Sequence, residues 1–168
     1  MKENSSIVSQ LDYLRKKILP IVEQQIRLLP VGQLDNRPAS NSMSLDELAF
    51  HVLNSSYIYL KGVELGGVNK SLFQDLNLDL ESDRTLDPLL TYCSRFSSYL
   101  DGLARSLRVQ KVSNLITYSL NDVGWGTWSL SSDEAVQTAI EEKIHRRGQL
   151  SLYLRLLGII PPKIYSYL

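Results

Sequence analysis

A chain of 168 residues, 43% hydrophobic and 21% charged, is long enough to bury a sizeable core. Its 18 basic residues balance 18 acidic ones and no long basic run occurs, so general attraction to nucleic acid or anionic lipid is excluded. The single cysteine, Cys93, rules out an internal disulfide and any C-x-x-C metal or redox pair.

The length suits one domain over residues 1–168. The opening "MKENSSIVSQ" lacks the apolar core of a signal peptide. No apolar run approaches the roughly 20 residues that span a bilayer. The expectation is a soluble cytoplasmic protein with neither a membrane nor a nucleic acid as partner.

Four segments carry helical periodicity, and none repeats at a solenoid period. The first runs from about Ser5 to Leu29, with Ile7, Leu11, Leu14, Ile18, Val22 and Ile26 on one face. Pro20 lies inside it and predicts either a kink or two shorter helices. After a polar connection, "SLDEL" opens the second helix. There Ser44 and Glu47 have capping-box spacing, and Gly66 and Gly67 supply the stop. "VNKSLFQDLNLDLESDR" reads as a long connection, with room for a short helical turn.

The third helix opens near "TLDPLL", with Pro88 in its first turn, and continues through Leu107. "LITYSLNDVGWGTWSL" alternates briefly and is compatible with an irregular loop or a small hairpin. Ser131 and Glu134 form a second capping box, and the fourth helix runs from about Asp133 to Leu157, closed by Gly158, Pro161 and Pro162. Four amphipathic helices without a convincing sheet predict an all-α four-helix bundle with long connections.

Two stretches add a family resemblance. "NSMSLDELAFHVLNSSYIYL" in the second helix and "GWGTWSLSSDEAVQTAIEEKIHRRGQLSLYLRLLGIIPP" at the end resemble, in order and spacing, the DinB/YfiT-like family. The resemblance implies a four-helix bundle, often homodimeric. It further implies a divalent metal such as zinc or nickel, held by three histidines. Its members include thiol transferases, metal-dependent hydrolases and proteins of unassigned activity. One ligand position falls on His51. The other two, four residues apart in the last helix and anchored on Arg147, Gly148 and Gln149, fall on Glu142 and Arg146. His145 corresponds to a histidine that is not normally a ligand. Only one of the three expected histidines is therefore in place.

The departure changes the chemistry. Residues four apart stack on one helix face, so positions 142 and 146 can face one ion. Glu142 can supply an oxygen to a metal; Arg146 cannot, because guanidinium has no available lone pair and stays protonated. His145 lies about 300 degrees round the helix from position 142, so a set of His51, Glu142 and His145 would be strained. The alternative is replacement: Glu142 and Arg146 form an ion pair, and with His51 they line a polar pocket in a protein that binds a small molecule or a protein partner. In that case Arg146 suits a carboxylate. The sequence leaves open an enzyme with a divalent metal, a metal-free binding protein and a structural dimer module.

Plainer readings stand beside these. His51 can be a hydrogen-bonded core residue, and Glu141, Glu142, Lys143, Arg146 and Arg147 an ordinary solvated face. Gly148 can serve close packing, and Gln149 a backbone bond. Trp125 and Trp128 read as core anchors that close a loop. Cys93 reads as a small buried hydrophobe. No G-x-S-x-G elbow, P-loop or dinucleotide fingerprint occurs.

Overall fold

Pro20 decides how the first helix is built. Proline has no N–H, so the ladder loses the bond it would make to the residue four back. In the computed structural model, which describes residues 4–69, 71, 85–109, 112–121 and 124–164, α1 (Ser5–Tyr13) passes through a π-turn (Leu14–Ile18) into α2 (Leu19–Arg27). The Leu19 N–H reaches back five residues to the Leu14 carbonyl, and Pro20 falls in the first turn of α2, where no donor is needed. The helix is thus continuous, with a widened turn that keeps Leu11, Leu14, Ile18, Val22 and Ile26 buried.

Helix α3 spans Leu45–Leu65. The Ser44 N–H donates to Glu47 Oε2 at 3.0 Å, and Gly66 ends the helix at φ +77°. Helix α4 is Asp87–Leu107, opened by Pro88. Helix α5 is Ser132–Leu156. Its Ser131 N–H donates to Glu134 Oε2 at 2.8 Å, the Glu134 N–H returns to Ser131 Oγ at 3.3 Å, and Gly158 sits at φ +76° beyond its end. Both capping boxes stand where their spacing places them. Counting α1 and α2 as one interrupted helix, four long helices make up the bundle, and the most extensive packing is between α3 and α5.

The structure adds a sheet to the all-helical expectation. Strand β1 (Gly67–Asn69) pairs in parallel with β2 (Ile116–Leu120), and β2 pairs antiparallel with β3 (Gly126–Leu130), in the order β1-β2-β3. The brief alternation in "LITYSL" is therefore a hairpin strand, with Ile116, Tyr118 and Leu120 turned inward and fully buried. Strand β1 has too few residues for a period to be read. Apart from residue 71, the rest of its long connection, where a helical turn is expected, lies outside the described residues.

One glycine docks this sheet on α3. A Cβ at Gly62 would collide with the ring and hydroxyl of Tyr118. The Tyr118 hydroxyl donates to the Tyr59 carbonyl at 2.9 Å, and Trp128 stacks on the Tyr118 ring at 5.2 Å. The hairpin is thereby fixed beside the middle of α3. Among the described residues, no helix is long and apolar enough to cross a membrane.

Candidate functional site

Three elements converge on a cavity of about 340 Å³. Helix α3 supplies His51, then Asn54 and Ser55 one turn on, then Ile58 and Tyr59. Helix α5 supplies Glu142 and Arg146, and the hairpin supplies Trp125 and Trp128. The volume falls at the small end of the range of about 300–1,000 Å³ usual for small-molecule sites.

Glu142 and Arg146 are in contact across one helical turn. Arg146 Nε lies 3.3 Å from Glu142 Oε2, and Arg146 Nη1 donates to Gln149 Oε1 at 3.0 Å. The pairing is single-point rather than forked. Arg146 Nη2 and Glu142 Oε1 make no hydrogen bond among the described residues.

His51 faces this pair from α3. Burial holds its imidazole below the usual histidine range; the nearby Arg146 lowers it further, Glu142 opposes, and Lys143 adds to the lowering. The shift favours the neutral imidazole. Its Nε2 is shut off from solvent and has no hydrogen-bond partner, and the same holds for the Ser55 hydroxyl one turn away. Tyr59 is pushed above the ordinary phenol range by burial and by Glu142.

The structure brings together His51, Glu142 and Arg146. It does not bring His145 to them: that side chain is exposed on α5 and does not line the cavity. The set expected to hold an ion thus offers one imidazole and one carboxylate, and the third position holds a guanidinium without a lone pair. Among the described residues, no group of three or more His, Cys, Asp or Glu stands close enough to share an ion. The residues present do not fit a three-ligand metal.

Other features depart from the sequence reading. Trp128 packs against the core on Tyr118 as an anchor would, whereas Trp125 is 54% exposed, and both also line the cavity. Asn54 and Ser55 escaped notice, although they lie three and four residues after His51, the spacing that shares its helix face. The charged run on α5 is not a solvated face throughout. Lys143 is fully buried, and its Nζ donates to the carbonyls of Val52 at 2.5 Å and Leu53 at 3.2 Å and sits 4.3 Å from the centre of the Phe96 ring. Burial pushes its ammonium down to about 7. Arg147 is buried as well, with Nε unpartnered. Cys93 fills its expected place as a buried hydrophobe, its thiol pushed by burial up to about 12.

A mainly helical bundle with a histidine on α3 facing two polar positions four apart on α5 defines a DinB-like class of protein. The match to known proteins is direct: a model of the DinB family covers residues 15–168, and the chain belongs to that family. It is 28% identical over 123 residues to the uncharacterized protein YjoA of Bacillus subtilis (strain 168), an alignment covering 73% of this chain and 72% of the relative. The crystal structure of that DinB-like YjoA protein superposes with a TM-score of 0.66 at 22% identity, covering 96% of this chain and 99% of the other. At that identity the likeness speaks for the fold alone.

Proposed function

We propose that the cavity binds a small organic molecule through hydrogen bonds and aromatic contacts, without a tightly held metal. One observation carries this reading: a cavity of about 340 Å³ sets an imidazole, a carboxylate, a guanidinium and an amide beside two indoles. Polar groups set against an aromatic wall are the mixture small-molecule sites use.

The rival reading is a hydrolase or thiol transferase with a divalent metal held by His51 and Glu142. Arg146 weighs against it. Its positive charge sits where an ion would gather its third ligand, and its Nε already occupies Glu142. An ion there would meet like-charge repulsion as well as an incomplete donor set.

A ligand-observed NMR screen of a small fragment set separates the two readings. The expected result is a group of binders whose signals vanish with His51→Ala and are unchanged by excess chelator. Binding abolished by chelator and restored by zinc or nickel would overturn the proposal.

A further inference from the structure

The cavity carries one carboxylate, one guanidinium and one imidazole. Glu142 and Arg146 touch at only one point, and each keeps a free polar edge: Oε1 on the carboxylate, Nη2 on the guanidinium. Neither group is sealed in the core, since their side chains retain 31% and 24% of their exposure. A loose pair with both edges open accepts a second pair of charges laid against it in reverse order.

From this juxtaposition we infer that the cavity takes a dipolar ligand, a small molecule with an ammonium and a carboxylate close together on an aromatic or apolar body, as in a zwitterionic amino acid. The inference rests on the small-molecule reading above and names its ligand class. The carboxylate is received by Arg146 Nη2, where a guanidinium edge suits it. The ammonium is received by Glu142 Oε1. The body lies against Trp125 and Trp128.

Charge balance excludes the simpler ligands. A monoanion drawn to Arg146 competes with Glu142 and leaves that carboxylate beside a like charge. A monocation drawn to Glu142 leaves Arg146 in the same position. A dipolar ligand satisfies both groups and adds no net charge to a partly desolvated site.

The test is calorimetric titration with four probes sharing one indole body: L-tryptophan (dipolar), indole-3-propionate (anion), tryptamine (cation) and indole (uncharged). The expected order places L-tryptophan at least about 10-fold tighter than each of the others, the scale of one charged hydrogen bond. Two variants make the pattern specific. Glu142→Gln weakens L-tryptophan and strengthens indole-3-propionate. Arg146→Gln weakens L-tryptophan and indole-3-propionate and strengthens tryptamine. Mere disruption of the fold would weaken all four together, and circular dichroism of each variant separates that case.

Equal binding of all four probes, or tightest binding of either singly charged probe, would overturn the dipolar inference. If that binding is still lost with Trp125→Ala, the small-molecule reading stands without it. Binding of none of the four overturns the inference outright, while the fragment screen judges the broader reading separately.

Discussion

Two pairs of residues on α5, offset by a single position, meet opposite fates. Glu142 and Arg146 face the cavity, keep part of their hydration and touch each other. Lys143 and Arg147 face the interior, are both basic, and make no ion pair among the described residues. Lys143 is held by carbonyl oxygens and an aromatic face instead of a carboxylate. The helix turns about 100 degrees per residue, so one step carries a charge from the cavity wall into the bundle. The first pair costs little and is open to a ligand. The second is retained in the core against a desolvation penalty and fixes where α5 lies on α3, helped by the Ser56 hydroxyl donating back to the Ala139 carbonyl at 2.7 Å.

That contrast is sharpened most by rebuilding the absent donors. The double variant Glu142→His with Arg146→His puts two imidazoles one turn apart facing His51. Zinc affinity should rise by at least about 100-fold over the parent, measured by competition with a chromophoric chelator. No gain would mean that His51 does not share a coordination point with positions 142 and 146.

The interior register should respond in stability instead. Gln25 is fully buried, and its Nε2 donates to the Arg147 carbonyl at 3.1 Å and to Ser151 Oγ at 2.6 Å, tying α2 to α5. Gln25→Ala leaves a void and unpaired partners, and should cost about 2–3 kcal/mol in urea unfolding. A loss below about 0.5 kcal/mol would show that the tie is dispensable.

Lys143 gives a pH signature. Its folded pKa of about 7 lies below the ordinary value of 10.5. Between those values the unfolded chain binds more protons than the folded one, so stability rises with pH across that window and the full penalty stands below it. Between pH 7 and pH 9 the gain should be about 2 kcal/mol, and it should disappear in Lys143→Met. Above pH 9 the raised pKa values of Cys93 and the buried tyrosines act in the opposite direction, so the lower window is the informative one. A slope unchanged by Lys143→Met would assign the effect elsewhere.

The smallest effect belongs to the cavity pair. Arg146→Met removes a partly exposed, single-point contact, and should change stability by less than about 0.5 kcal/mol while altering ligand binding. A large loss would make Arg146 a structural member like its neighbour Arg147.

Sequence carried the helices and the site to different depths. Helix ends were legible because local chemistry marks them: Ser44 with Glu47, Ser131 with Glu134, Gly66, Gly158 and the Pro88 start all act within a turn of themselves. Strand β1 was not, because its three residues gain order only from pairing with the distant β2. Positions 51, 142 and 146 were legible through the family resemblance and helical spacing. The burial of Lys143 was not, since a cation within a charged run is normally solvated, and nothing local announces the α3 carbonyls and the Phe96 ring that receive it. The exposure of Trp125 and the place of both indoles on the cavity wall were not legible, for the same reason. Their role as a wall depends on Tyr118 seating against Gly62, which sets the hairpin beside α3.

The most direct test of the account is metal content by elemental analysis, on tag-free protein offered zinc, nickel and manganese and then desalted, with His51→Ala treated in parallel. The result expected is no near-stoichiometric metal in either sample, because the cavity sets a guanidinium, which has no lone pair, beside Glu142. Near-stoichiometric metal in the parent, lost in His51→Ala, would contradict it and return the cavity to metal chemistry.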